Sequence, residues 1–429
     1  MEESQNRQEN ISRYPLYKML SWDLLFYYSI IFLFLTQVKN ISPAMVFLTE
    51  AVYTISKIVI FIPCLTLIEK MGKRKSLIFA NLCITISIAI LIFSENIWQI
   101  IAFQIFSGIG YAIKGMCETN VLYDSLQNTE HRGNQFAQID GRATSYYFYL
   151  NAITSFLSGF LYIINPYIPI ILCLVICIIS TVLCTKFKDI HIKELDNKER
   201  ITPKEYINGI NQSFRNIIKS PRLRNLILFG ALFYGLLAVL VSLRTSLLKD
   251  IGLPEQYFGV IFAVLEIISG ISTKNQERFH NKYRNRTLTV FSIPVIVSCI
   301  LVGLISKKAI DFAVLITIVF ILYMIQYIMK GPYYILIKKY INNFTTHKIR
   351  NRISSFYYLM ENIIRSIVLL GVSYLMGVTS TSNTFIIIGI IYIVIIGLLL
   401  YNMKTKVGLK PEEYGKRDIE FLETKWLTN

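Results

Sequence analysis

The chain has 429 residues, of which 54% are hydrophobic and only 17% charged, and it carries a formal charge of +17. A soluble globular chain holds roughly a quarter charged residues, so a water-soluble protein of this composition is excluded. The basic residues are scattered over loops and tails without a recognised binding motif, which sets nucleic-acid binding aside.

A helix needs about 20 mostly apolar residues to cross the hydrocarbon core. Residues 1–16 are polar, and the run after them is too long and lacks the small residues of a cleavable signal peptide. Twelve apolar runs then follow, at roughly 17–38, 44–68, 75–95, 98–126, 142–164, 167–186, 224–246, 257–275, 287–305, 309–337, 353–378 and 383–403. Ionisable residues interrupt the second, eighth and eleventh. The alternating segments of about ten residues that mark an outer-membrane barrel are absent. The expected fold class is therefore an all-α polytopic membrane protein with twelve transmembrane helices in two six-helix bundles.

The loops after odd-numbered runs hold only Lys39, Lys249, Lys307 and Lys308, whereas the other loops and both termini hold 34 of the 44 basic residues. The basic side faces the cytoplasm, and an even number of spans agrees with both termini lying there. The remaining six (Lys18, Lys57, Lys114, Arg244, Lys330 and Arg365) lie in spans or at their ends. The expected location is a bacterial plasma membrane.

The longest polar stretch divides the chain into an N-terminal bundle (1–186), a linker (187–222), a C-terminal bundle (223–404) and a cytoplasmic tail (405–429). In the linker, Thr202-Pro203-Lys204-Glu205 reads as an N-cap, a proline at the first helical position and a capping-box glutamate. Tyr206, Ile207, Ile210, Phe214, Ile217 and Ile218 follow on one stripe, as in a surface helix. In the tail, Pro411-Glu412-Glu413 opens a helix with Ile419, Leu422 and Trp426 on one side. The halves read as repeats. At an offset of about 210, Gly141-Arg142-Ala143-Thr144-Ser145-Tyr146-Tyr147 meets Asn351-Arg352-Ile353-Ser354-Ser355-Phe356-Tyr357. One residue further, Lys73-Arg74-Lys75-Ser76-Leu77 meets Arg284-Asn285-Arg286-Thr287-Leu288.

All seven cysteines lie in or beside apolar runs without a CxxC, so they read as small buried thiols. The four histidines (His131, His191, His280, His347) fall in cytoplasmic segments, which leaves no His-based metal or proton site in the membrane.

Twelve spans, a six-plus-six repeat and a central linker resemble the major facilitator superfamily of transporters. Pro63 to Arg74 is similar to that family's G-x-x-x-D-[RK]-x-G-[RK]-[RK] loop, with Leu65 in place of the first glycine, Glu69 in place of the aspartate, and Gly72, Lys73 and Arg74 kept. Leu122-Tyr123-Asp124-Ser125-Leu126 and Gly141-Arg142-Ala143 resemble the bacterial branch that includes the clostridial class P tetracycline efflux pump. Gln104 to Gly108 lacks the arginine of the family's R-x-x-Q-G antiporter motif, and Asn151 to Gly159 keeps only one glycine of its Gly-Pro-Gly-Gly motif. By resemblance, Glu69, Gly72, Lys73, Arg74, Asp124, Arg142 and Arg352 form a cytoplasmic gate that latches the halves. The bland alternative is a positive-inside loop with solvated charge, worth about 1 kcal/mol per exposed pair.

Ionisable residues inside spans cost about 3 kcal/mol each on insertion scales. They are Asp23, Glu50, Lys57, Lys114, Glu118, Glu266, Glu361 and Arg365. None falls inside spans three, six, nine or twelve, which the resemblance places at the periphery. Lys114/Glu118 and Glu361/Arg365 are spaced i, i+4, and Glu50/Lys57 are two turns apart. Each pair either neutralises its own burial or belongs to a proton-coupling and substrate cavity. Asp23, Glu50 and Glu266 lack a cation one turn away and are better placed to exchange a proton. Tyr27-Tyr28, Tyr146 to Tyr149, Tyr323/Tyr327 and Tyr357-Tyr358 offer faces for an aromatic substrate, or ordinary packing.

No Walker A loop is present. The sequence reading is a secondary transporter, not an enzyme, with no metal and no cofactor beyond the proton gradient. Its expected partners are a small-molecule substrate and the lipid bilayer, without nucleic acid, and the chain is expected to be a monomer. Antiport of a small amphipathic drug of the tetracycline class, conferring antibiotic resistance, leads. A proton-coupled importer, a lipid flippase and a non-transporting membrane sensor stay open.

Overall fold

A computed structural model of the protein describes residues 2–126, 132–190, 214–215, 217, 221–283, 286–343 and 350–405. Among them are 14 α-helices and no strand. In chain order these are α1 (Glu2–Ser21), α2 (Ile31–Leu33, running into the π-helical turn Phe34–Val38), α3 (Pro43–Met71), α4 (Lys73–Phe93), α5 (Ile97–Ser125), α6 (Arg132–Ile164) and α7 (Tyr167–Thr185). The second series comprises α8 (Pro221–Asp250), α9 (Gln256–Lys274), α10 (Gln276–Tyr283), α11 (Thr287–Ile305), α12 (Phe312–Asn343), α13 (Arg350–Val378) and α14 (Thr381–Thr405). Eleven of these helices contain stretches long and apolar enough to cross a membrane, one for each expected run from the second to the twelfth. The expected linker helix at Thr202–Glu205 and the tail helix lie outside the described residues.

Local chemistry accounts for several boundaries. Asn96 caps α5 by accepting the Gln99 N–H at 3.1 Å, and the Gln99 side chain accepts the Asn96 N–H in return at 3.4 Å. Between α3 and α4 a single residue reverses the chain. Gly72 does this at φ +79°, a left-handed conformation that costs glycine little and other residues much.

The first run departs from a plain span. Regular helical bonding stops at Trp22, whose N–H reaches the Lys18 carbonyl at 2.8 Å. It resumes at Ile30 and Ile31, whose N–H groups reach Tyr27 at 3.1 and 2.9 Å. In between, Phe26 sits at φ +61°, an outlying conformation for a bulky residue. Neither glycine nor proline occurs in Trp22–Ile30. The break instead follows a side chain that competes for the backbone: the Asp23 carboxylate accepts the Leu24 N–H at 2.9 Å.

The residues form two compact units: 1–42 with 49–203 and 254–263, and 43–48 with 204–253 and 264–429. In lipid, helices are drawn together by close packing rather than by the hydrophobic effect, and small residues permit the closest approach. In the first unit, a Cβ on Gly108 would lie 2.7 Å from the Tyr53 carbonyl of α3, and one on Gly110 would lie 2.8 Å from the Ala80 carbonyl of α4. Thus α5 is pressed against two neighbours through glycine. The seven cysteines are buried free thiols.

Candidate functional site

In the first unit, ionisable side chains gather where α1 breaks. The Asp23 carboxylate accepts hydrogen bonds from the Tyr28 hydroxyl at 2.7 Å and the Tyr111 hydroxyl of α5 at 2.9 Å. One turn along α5, the Lys114 ammonium lies 5.6 Å from the Tyr111 ring centre. It faces Glu118 at 3.6 Å, the i, i+4 partner expected from spacing, and Ser21 donates to that carboxylate at 3.3 Å. Lys114 and Glu118 are 3% and 8% exposed, so the pair is interior. Lys57 of α3 is also buried, over the Tyr53 ring at 5.2 Å. The Tyr53 ring meets Tyr111 edge-on at 6.2 Å. A small cavity lined by Ser21, Asp23, Asn81, Tyr111, Lys114 and Ser180 lies among these groups. Glu50, half-buried on α3, is in electrostatic range of the buried Tyr27.

In the second unit, Glu266 of α9 receives a hydrogen bond from Lys330 of α12 at 2.8 Å. The sequence offered Glu266 no cation one turn away on its own helix, and the fold supplies one from 64 residues away. The close approach of the two helices is made at Gly331, where a Cβ would lie 2.5 Å from the Ser269 carbonyl and 2.2 Å from the Thr273 hydroxyl. Glu361 and Arg365 of α13 are half-buried and lie in the electrostatic surroundings of Tyr334, which packs on Tyr234 at 6.1 Å. Glu361 also neighbours Tyr333 and Tyr357.

The expected gate residues divide. Lys73 pairs with Asp124, joining the start of α4 to the end of α5. Arg74 pairs with Asp189 at 3.1 Å and donates to the Thr185 carbonyl at 2.9 Å. Both sets of contacts lie within the first unit. Arg142 is exposed. The side chains of Glu69 and Arg352 lie outside the described residues.

Sequence reasoning missed three basic participants, Lys18, Arg244 and Lys330, together with the partners of the first. Lys18, 3% exposed, pairs with Asp140 of α6, and Tyr14 donates to the same carboxylate at 2.7 Å. Burial first, then the Glu118 and Asp140 carboxylates, pushes the Tyr14 hydroxyl far up, so it stays a donor at any physiological pH. Asp140 directly precedes the Gly141-Arg142-Ala143 segment, which was the available signal. Arg244 of α8 is 0% exposed. Its Nε donates to the Gln326 side-chain oxygen at 2.7 Å, and its guanidinium lies 4.6 Å from the Tyr327 ring centre. Lys330 lies 4.6 Å from the same ring centre. These residues stood out only as basic residues in or at the ends of apolar runs.

A family model described as Major Facilitator Superfamily matches residues 19–325. A search of curated proteins returns no match. Among solved structures, the nucleoside transporter NupG is similar with a TM-score of 0.71 and 14% identity, covering 94% of this chain and 100% of that one. A POT family transporter in complex with 5-aminolevulinic acid is similar with a TM-score of 0.64 and 13% identity, covering 93% of this chain and 95% of that one. At these identities the likeness is one of fold.

Proposed function

We propose, from the premise that this chain belongs to the Major Facilitator Superfamily of membrane transporters, that it is a proton-coupled antiporter exporting a small amphipathic, aromatic compound. The observation that carries the coupling is the Glu266–Lys330 pair, a carboxylate and an ammonium 2.8 Å apart on neighbouring helices. Such a pair has two low-energy arrangements. With Glu266 ionised, the charges hold each other and hold α9 to α12. With Glu266 protonated, Lys330 is released and must find another acceptor, so the helices are free to repack. Each cycle of pairing and release then moves one proton.

Asp23 is the second proton site in this reading, since a protonated carboxyl would have to turn a donor towards Tyr28 or Tyr111, which now donate to it. Tyrosine faces around both carboxylates, together with half-exposed Trp22 packed on Tyr147 at 4.7 Å and on Phe148 at 5.3 Å, support an aromatic substrate. Tetracycline-class drugs are the specific choice. The basic bias of the loops supports a bacterial plasma membrane with both termini cytoplasmic. The gate reading supposes that Lys73 and Asp124 part and re-pair as access alternates.

The test is flux of a fluorescent tetracycline in vesicles containing the full chain, with and without an imposed pH gradient. Gradient-driven accumulation in the wild type is expected. Glu266→Gln is expected to lose it at least tenfold while keeping gradient-independent exchange, because binding survives when coupling is lost. Equal flux with and without the gradient would sink the coupling, and no drug flux in either condition would sink the substrate assignment.

A further inference from the structure

Arg244 has more hydrogen-bonding capacity than the fold uses. An arginine presents five N–H donors and is always charged. Here Nε is satisfied by Gln326. The two terminal nitrogens are buried and, among the described residues, make no hydrogen bond. The Tyr327 side chain stands within hydrogen-bonding reach of the Arg244 side chain, but neither terminal nitrogen has it as a well-aligned partner. The hydroxyl of Tyr323, whose ring centre lies 5.8 Å from the guanidinium, is also buried without a partner. Three unused donor groups thus lie together.

The guanidinium is held from behind. Gln326 accepts from Nε and donates to the Ser298 hydroxyl at 3.0 Å, and to the Cys299 sulfur at 3.8 Å. Those bonds fix which way the amide points, with its oxygen towards Nε and its nitrogen turned away from the guanidinium. The charge is also unbalanced. Glu266 is committed to Lys330, and Lys330 and Arg244 lie against the same tyrosine. Two cations therefore share one carboxylate. A water molecule could accept the donors' hydrogen bonds but could not balance the charge. A planar oxyanion does both, because the guanidinium fork matches a carboxylate with two parallel bonds.

We propose that Arg244, with Tyr323, binds a monovalent anion inside the second unit, of carboxylate chemistry or its small inorganic equivalent. The surplus of one positive charge sets the valence. The proposal deepens the transporter reading and rests on it for its consequence: the exported compound carries an anionic group, or a small anion travels with it. Binding itself needs no gradient, so loss of proton-driven flux in the vesicle assay leaves it standing.

The experiment uses the full-length protein in detergent, in chloride-free sodium HEPES at constant ionic strength. Unfolding is followed with a thiol-reactive dye, which reads exposure of the seven buried cysteines. The probes are sodium benzoate, its neutral isostere benzamide, and sodium chloride. Benzoate is expected to raise the unfolding midpoint by several degrees and benzamide to leave it unchanged. A benzoate effect larger than that of chloride assigns the site to a carboxylate-bearing ligand. An equal chloride effect assigns it to an inorganic co-ion. Arg244→Gln and Arg244→Lys are expected to abolish the shift, the second because it keeps the charge but loses the fork. Tyr323→Phe, which removes one donor and no charge, is expected to weaken benzoate about tenfold. Equal shifts from benzoate and benzamide, no shift from any anion, or an undiminished shift in Tyr323→Phe together with either folded arginine variant would overturn the proposal. The wild-type comparison decides even if those variants fail to fold.

Discussion

Asp140→Ala is expected to be among the most damaging single substitutions for stability. It leaves Lys18, 3% exposed, without its carboxylate, and it removes the acceptor of the Tyr14 hydroxyl at 2.7 Å. Removing one partner of a buried pair costs about 3–5 kcal/mol, because the remaining charge stays buried and uncompensated. Asp140 is itself 24% exposed, which admits some water and places the loss near about 3 kcal/mol. The pair joins α1 to α6, so the loss is cooperative for the first unit. The double variant Lys18→Met/Asp140→Ala removes both charges and is expected to recover most of the lost stability, because an apolar replacement of a buried pair is often neutral. Thermal unfolding of the three proteins in the same detergent checks this. If the single and double variants unfold at the same temperature, the ion pair is not the source of the effect.

Gly331→Ala ranks beside it, through the backbone rather than through charge. The added methyl would sit 2.5 Å from the Ser269 carbonyl, a contact that no side-chain rotation relieves. Helices α9 and α12 must then separate, at a cost of about 1–3 kcal/mol typical of overpacking. Lys330 precedes Gly331 and Glu266 lies one turn before Ser269, so the same separation lengthens the 2.8 Å ion pair. Proton-driven flux is expected to fall at least tenfold, with a loss of several degrees in unfolding temperature. Gly270→Ala is the matched control: it lies beside Ser269, and a Cβ there meets nothing within 4 Å. A normal flux in Gly331→Ala, or a loss as large in Gly270→Ala, would separate the coupling from the helix crossing.

The two substitutions also mark what could be read from the chain. Membrane spans are legible because hydrocarbon demands long apolar stretches, and the helices from α3 onward, the short α10 excepted, supply one for each run from the second to the twelfth. The Lys114–Glu118 pair was legible because both residues ride one helix. Glu266–Lys330 and Lys18–Asp140 were not, since their partners are 64 and 122 residues apart. Helical periodicity says which residues share a face but not which face of another helix meets it. Arg244 gave even less, because its neighbours Gln326 and Tyr323 are uncharged and mark no partner. The gap at Trp22–Ile30 escaped for a different reason. A helix is usually broken by glycine or proline, whereas this one is broken by an aspartate with tyrosine hydroxyls around it.

That gap has a mechanical consequence. A continuous helix is a rigid rod, and a push at one end turns the other. Here the rod ends at Ser21. Its N-terminal portion is anchored by Asn10 to Ser125 and Lys188, and by Arg13 to Lys186. The Phe34–Val38 turn is anchored separately, by Gln37 to Glu255 and Tyr162, with Lys39 resting on the Phe34 and Tyr167 rings. The stretch between them has its own bonds to neighbouring helices, Asp23 to Tyr111 and Ser29 to Ser158, so the two ends of this segment are held by separate sets of contacts and are not coupled through one rigid rod.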